Sequence, residues 1–296
     1  MNGILLINKP KNFTSFDVVA KLRRIFKIKK IGHAGTLDPM ATGVLPILLG
    51  NATKIQELLQ NSDKEYLATF KLGLTTDTLD ITGKVLSESV VNVSLDDIKN
   101  ILPKFCGEIN QVPPMFSAIK KNGIKLYDLA RKGISIKRDP RLVTINSIDL
   151  IDFDGDIIKI LVSCSKGTYI RSLCSDIGNN LGCGAVLTEL SRTKACSFSI
   201  DDCLTLEELE KLYKENTLSN KLIPIPLALK YYKKISITAP QASRFKNGGP
   251  LDLNRLNINY FDANEIFQVF FEDQFLGLGI INLKKNQLDI FKLLFT

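Results

Sequence analysis

Apolar residues recur at helical spacing just after the amino terminus. Val18, Val19, Leu22, Ile25 and Phe26 share one face, and Thr14 and Ser15 stand where helix caps belong. The pattern predicts an amphipathic helix over this stretch. Ahead of it, ILLI at 4–7 reads as a short buried strand ended by Asn8-Lys9-Pro10. Further along, 51–60 reads as a helix, 66–73 alternates like a strand, and 75–85 is a polar loop turning at Gly83. A capped helix is predicted over 94–105, and a shorter one over 123–133 closed by Gly133. Residues 156–167 form a strand pattern ending in a turn at Gly167, after which Ile170, Leu173, Cys174, Ile177 and Leu181 again fall on one helical face. Strands and helices are intermixed without strict βαβ alternation. The expected class is therefore α+β, with a mixed, largely antiparallel sheet flanked by helices.

Near residue 230 the texture changes. The segment 223–234, IPIPLALKYYKK, reads as a connection, and short strand patterns follow at 234–238, 265–273, 275–283 and 288–295. They predict a small β-rich unit of roughly 60 residues, near the lower size limit for independent folding. The expected division is 1–231 and 232–296.

Composition changes the picture modestly. The chain of 296 residues carries a net charge of +8 and is 45% hydrophobic, so a core is easily built and a polyanionic partner is favoured. The helix at the amino terminus has a basic face, Lys21, Arg23, Arg24 and Lys27, with Lys29 and Lys30 beyond. It is either a solvated surface or a phosphate-contacting stripe. Six cysteines include no C-x-x-C pair, and the chain has one histidine, so a zinc site is not expected and the thiols read as reduced. MNGILLINKP lacks a basic segment leading an apolar stretch of signal length, and no run approaches the ~20 apolar residues of a membrane helix. A soluble cytoplasmic protein with no membrane association is expected.

The chemistry concentrates in GHAGTLDPMATGVLPILLG, Gly32 to Gly50. Four glycines, two prolines and the sole histidine, His33, surround one carboxylate, Asp38. An aspartate in such a loop is a turn former, a cap or a catalytic group. The glycines allow close approach of backbone to a ligand. No G-K-[ST] makes this a P-loop, it is not G-x-G-x-x-G, and no G-x-S-x-G accompanies the histidine. A carboxylate pair with Asp77 or Asp80 stays open. In CSKGTYIRSLCSDIG, Arg171 falls in the first turn of a helix, where the dipole disfavours a cation. It is a surface residue or has an acidic partner, for which Asp38 is suited. Tyr169 beside it reads equally as a half-buried aromatic.

Four blocks in order over about 4–194 resemble the TruB family of tRNA pseudouridine synthases. They are INKP with TSFDVV and GHAGTLDPMATGVLPILLGNATK, then DKEYLATFKLGLTTDTLDITG, QVPPMFSAIKKNGIKLYDLARKG and CSKGTYIRSLCSDIGNNLGCGAVLTELSRTK. FKNGGPL and FLGLGIINL resemble, more weakly, the PUA-type RNA-binding domain that ends many bacterial members. The resemblance implies a cofactor-free and metal-free isomerisation of uridine 55 in the tRNA T-loop, in which the N1 glycosidic bond breaks and C5 joins C1′. Asp38 takes the place of the catalytic nucleophile. Tyr66 matches the tyrosine that stacks on the target base, Arg171 the arginine paired with the aspartate, and Tyr169 and Leu190 positions lining the base pocket. His33 matches a residue holding the disrupted T-loop, and Lys9 with Pro10 a pair packed near the active site. The expected partner is the tRNA T-arm, bound by a monomer, with the basic helix and KKNGIK at 120–125 as phosphate surfaces. Phe116 departs from the family pattern, where tyrosine is common. Two other readings are a non-catalytic RNA-binding or RNA-folding protein and a different enzyme cleaving a nucleoside glycosidic bond with Asp38 and Asp77 or Asp80.

Overall fold

The computed structural model describes residues 1–60, 62–121, 123–258 and 261–295. The ILLI run lies inside strand β1 (Gly3–Lys9), paired antiparallel along its whole length with β3 (Thr42–Leu49). Both strands are apolar because structure covers both of their faces. Helix α1 (Ser15–Phe26) begins as its caps predict: the Asp17 amide donates to Thr14 Oγ1 and the Thr14 amide to Asp17 Oδ2, at 3.0 and 2.8 Å. Its buried face, Val18, Val19, Leu22 and Phe26, packs on Leu5, Ile7, Leu45 and Ile47. Each such burial contributes roughly 1.5–3 kcal/mol.

Among the described residues nine strands form one sheet. They are β1, β2 (Ile31–His33), β3, β4 (Lys64–Leu72), β5 (Gly107–Gln111), β6 (Arg141–Asp154), β7 (Ile157–Cys164), β8 (Ala185–Ala195) and β9 (Phe198–Ser199). The order is β1-β3-β8-β4-β7-β6-β5, with β2 on β3 and β9 on β8. Every pairing is antiparallel except that of β3 with β8, which meet in parallel at Ser191↔Thr42 and Arg192↔Gly43. The sheet is thus mixed and largely antiparallel, in an α+β fold. Helix α2 (Ile170–Asn180) lays Ile170, Leu173, Cys174 and Ile177 on the β4 and β8 side chains Ala68, Phe70, Leu187 and Leu190.

Several elements differ from the sequence pattern for local reasons. The stretch expected as one helix at 51–60 is a 3-10 segment, Gly50–Ile55, running into the α-helical turn Gln56–Gln60. At 94–105 the α-helix stops at Ile101 and tightens to a 3-10 turn, because Pro103 brings no amide hydrogen for another helical bond. The expected connection at 223–234 contains a short helix, Ile225–Ala228, that buries Ile225 and Ala228. Strands β5, β6 and β8 were not marked by the apolar pattern. Pro46, which has no amide hydrogen to donate, sits inside β3 one residue beyond the last β2 pair, His33↔Ile47, and its carbonyl accepts from the Ala34 amide at 2.9 Å.

A second sheet follows, in spatial order Lys233–Ser236, Ile266–Phe271, Gln274–Asn282, Gln287–Leu293 and Leu251–Asp252. Helix Ala239–Lys246, absent from the sequence reading, closes its core over Phe245, Phe267 and Leu276. This unit is not free-standing. Leu278 and Leu294 join Ile4, Ala52 and Leu229 in a shared apolar cluster, Lys54 Nζ donates to the Leu293 carbonyl at 2.8 Å, and Asn51 Nδ2 to the Phe295 carbonyl at 3.1 Å. No helix among the described residues is long and apolar enough to cross a membrane.

The parallel junction depends on Gly43. Its φ is +102°, and a Cβ there would lie 2.2 Å from the Arg192 carbonyl oxygen. Gly43→Ala is expected to lower unfolding stability by about 2 kcal/mol or more, through backbone strain and overpacking together. A denaturant titration against wild type checks this, and an unchanged midpoint contradicts it.

Candidate active site

Between β2 and β3 the chain runs through the glycine-punctuated loop that carries Asp38. Side chains and backbone from distant segments hold this loop. Ser15 Oγ accepts from the Leu37 amide at 2.9 Å, and the Asn12 amide donates to the Pro39 carbonyl at 2.8 Å. Lys9 is fully buried, and its Nζ donates to the Pro10, Phe13 and Pro39 carbonyls at 2.9, 2.5 and 3.3 Å. Burial pushes the Lys9 ammonium down to about 8, with the Asp38 charge opposing. Lys9 therefore anchors the loop from behind and does not line the cleft.

Asp38 faces a cleft of about 690 Å³, within the usual range of roughly 300–1,000 Å³ for ligand pockets. Tyr66 on β4, Leu190 on β8 and Tyr169 at the start of α2 form its walls. Tyr169 is fixed by Gln111, which donates to its carbonyl at 3.0 Å and accepts from its amide at 2.8 Å. Burial raises both phenols above their usual value; Arg192 opposes this at Tyr66 and Ser117 at Tyr169.

Arg171 occupies the position that its helix dipole disfavours, 5% exposed, and its partner is Asp38: Nε lies 2.9 Å from Asp38 Oδ2. The guanidinium also donates to the Thr78 carbonyl at 3.1 Å and the Phe116 carbonyl at 2.8 Å, and Nη1 lies 3.7 Å from Asp80 Oδ2. Only the Phe116 carbonyl is used in this contact, so phenylalanine serves there. Of the two downstream acids, Asp80 is the buried one. Its Oδ1 accepts from Thr78 Oγ1 at 2.8 Å, Thr82 Oγ1 at 2.6 Å and the Thr82 amide at 3.0 Å. Asp77 is exposed and closes a turn by accepting from the Lys84 amide. Between them Leu79 adopts a left-handed φ of +63°, which turns the Thr78 carbonyl and Asp80 toward Arg171.

Asp38 is subject to opposing effects. Burial raises its pKa and is the largest influence. Arg171 lowers it, Asp80 raises it and Lys9 lowers it, and the net result lies above the ordinary carboxylate value. The arginine pairing alone does not set the charge state.

His33 lies on β2, outside the set of side chains lining the cleft. Burial lowers its pKa, and among the described residues its Nδ1 has no hydrogen-bond partner. The basic face of α1 is partly engaged, since Lys21 pairs with Glu210 at 2.8 Å and Arg23 donates to the Ile31 carbonyl. Arg24, Lys27, Lys29 and Lys30 are exposed. In KKNGIK, Lys121 donates to the Lys137 carbonyl, and Asn122 is outside the described residues. Among the described residues no group of three or more His, Cys, Asp or Glu side chains is placed to hold a metal. Arg192, Asp80 and Arg141 are cleft or neighbouring groups that sequence reasoning did not single out as site residues, apart from Asp80 as one half of an alternative carboxylate pair.

A carboxylate paired with arginine beneath aromatic walls suits covalent attack on a ligand inserted from outside. Comparison with known proteins defines the class. Residues 23–170 match the TruB family pseudouridylate synthase N-terminal domain, and residues 171–230 match the tRNA pseudouridylate synthase B C-terminal domain. The fold is shared with a Cbf5–Nop10–Gar1 complex, at a TM-score of 0.77 and 26% identity over 99% of this chain and 84% of that one. An H/ACA RNP bound to a substrate RNA containing 2′-deoxyuridine matches at a TM-score of 0.76 and 24% identity, over 99% and 85% of the chains. The fold and the family matches are those of a pseudouridine synthase, an isomerase. Proteins called tRNA pseudouridine synthase B are similar over nearly the full length: that of Clostridium tetani is 48% identical over 94% of this chain and 95% of its own. That of Clostridioides difficile is 42% identical over 98% of each chain. The chain belongs to the TruB family.

Asp38 loses its charge as pH falls through its raised pKa, so a rate that depends on the ionised carboxylate is expected to have its acid limb above the ~3.9 of a free aspartate. Because the Asp80 charge raises that pKa, Asp80→Asn is expected to move the limb to lower pH while slowing turnover by roughly tenfold through a less constrained Arg171. A pH profile of single-turnover rate on both proteins checks the sign, and a limb moving upward contradicts it.

Proposed function

We propose that this protein converts uridine 55 in the T-loop of tRNA to pseudouridine with Asp38 as the nucleophile. One observation carries the assignment: the Asp38 carboxylate, 2.9 Å from Arg171, faces a cleft walled by Tyr66, Tyr169 and Leu190. The uridine leaves its stack at a cost of a few kcal/mol and enters this cleft. The N1–C1′ bond breaks with assistance from Asp38, the uracil turns, C5 bonds to C1′, and the proton on C5 is replaced by one on N1. Atoms and electrons balance within the nucleotide, so the reaction calls for no cofactor or metal. Asp38 acts either by adding to C1′ or through a glycal, and the geometry serves both. Tyr66 stacks on the base, Tyr169 and Leu190 bound it, and Arg171 orients the carboxylate. Lys9 holds the loop from below, and His33 supports the opened T-loop at its edge.

In this proposal residues 1–231 form the catalytic domain and 232–296 an RNA-binding domain. Arg244, Arg255 and Lys285 line a groove of about 540 Å³ in the latter, which supports an anionic ligand there. The tRNA T-arm lies across the exposed Arg24, Lys27, Lys29 and Lys30, and binding weakens as salt is added. The protein acts as a monomer in the cytoplasm.

The test uses an unmodified tRNA transcript without added metal. Wild type is expected to convert the T-loop uridine, and Asp38→Asn to lose activity by ~1,000-fold or more while binding tRNA within about threefold of wild type. Retained turnover in the variant removes Asp38 as nucleophile. A folded wild type that binds the transcript without converting it favours an RNA-folding role.

A further inference from the structure

Arg192 is 1% exposed and is among the largest fully buried side chains in the protein. Its backbone is fixed between two strands, opposite Gly43 on β3 and Tyr66 on β4. From there the side chain reaches under the catalytic loop. Nε donates to the Val44 carbonyl at 2.9 Å and Nη2 to the Gly35 carbonyl at 3.1 Å. Gly35 precedes Asp38 and Val44 follows it, so one guanidinium binds both ends of the loop. Arg192 also stands directly opposite Tyr66 in the β4–β8 pairing, and its charge favours the ionised form of that phenol against the effect of burial.

Among the described residues no carboxylate forms an ion pair with Arg192. Its ionisable neighbours include cations: its charge lowers the pKa values of Lys9, Lys64 and His33. A buried cation without a counter-ion is costly, and an apolar residue at a central strand position avoids that cost. What the guanidinium supplies in exchange is geometry. Its planar fork joins the Gly35 and Val44 carbonyls, which no single apolar or monodentate group can do.

We infer that Arg192 is a positioning residue that holds both ends of the Asp38 loop and, through its charge, the Tyr66 phenol in the single arrangement turnover requires. The inference rests on the proposed uridine isomerisation in this cleft. Arg192 acts through Asp38 and Tyr66, not on the nucleotide itself.

The experiment compares Arg192→Lys, which keeps the charge but loses the fork, with Arg192→Gln, which loses the charge. Thermal unfolding establishes that each folds. Both are expected to lower the single-turnover rate at saturating tRNA by about 100-fold, with tRNA affinity within about threefold of wild type. In a Tyr66→Phe background the further loss is expected to shrink to under about tenfold, because part of the effect passes through the hydroxyl. Amide hydrogen exchange over 35–44 is expected to accelerate in both variants, with strands β6 and β7 unchanged. A folded variant with wild-type rate, a loss that appears equally in tRNA affinity, or full additivity with Tyr66→Phe overturns the inference. Failure of both variants to fold also overturns it, making Arg192 a stability residue. An inactive wild type sinks the proposed function alone, since the exchange comparison still reads the clamp on the loop.

Discussion

Arg171 stands in the first turn of a helix whose dipole repels it, nearly excluded from water, and the site is organised around what its guanidinium binds. Asp38 supplies the counter-charge, while the Thr78 and Phe116 carbonyls and the Asp80 carboxylate take the remaining directions. Four separate stretches of chain thereby meet at one planar group. A buried arginine deprived of its acids leaves an uncompensated charge in a low-dielectric setting, so loop, turn and helix are mutually required. The fork of donors explains why arginine, and not lysine, suits this junction.

The same burial that strengthens this pairing works against ionisation of Asp38. Partial desolvation of the carboxylate favours its neutral form, and Asp80 nearby adds repulsion, while Arg171 and Lys9 pull the other way. The result is a carboxylate held in place by Arg171 while its side chain stays 37% exposed at the cleft. Lys9 shows the complementary case. It is pushed down to about 8 by burial, yet it is placed to donate to three carbonyls at once and so fixes the loop.

Strand β8 links these local arrangements to the whole molecule. It pairs in parallel with β3, crowds Gly43 and contributes both Leu190 and Arg192 to the cleft region. On the far side of β3, the 3-10 segment Gly50–Ile55 receives the carboxy-terminal unit through Asn51 and Lys54. The block from Gly32 to Gly50 therefore carries the cleft aspartate, half of the central sheet contact and the edge of a docking surface within nineteen residues. Glycines and prolines serve different ends along it: Gly43 allows close strand approach, and Pro46 stands just beyond the last β2 pair.

Much of this was legible from local chemistry. The caps and 3.6-residue period of α1, the αL glycines at 133 and 167 and the odd placement of Arg171 all depend on neighbours a few positions away. The family blocks pointed to Asp38, Tyr66, Tyr169 and Leu190, which the fold brings to one cleft. What escaped depends on distance along the chain. Strand β8 breaks its alternation with register shifts at Leu187/Glu189 and Arg192/Lys194, and β6 does so at Ile145/Ser147 and Leu150/Asp152, so the two-residue period that marks a strand is interrupted. Asp77 and Asp80 look alike in sequence, and only the turn through Leu79 makes one a surface cap and the other a buried neighbour of Arg171. Arg192 reads as an ordinary basic residue until folding places it beside carbonyls 148 and 157 positions away. The sequence by itself determined the capped amphipathic helix α1, the helix that follows Gly167 and the aspartate of the glycine-rich loop, because each follows from nearest neighbours. The charge balance at Asp38 and the clamp beneath it were decided by tertiary structure, because desolvation and ion pairing exist only once distant segments exclude water together.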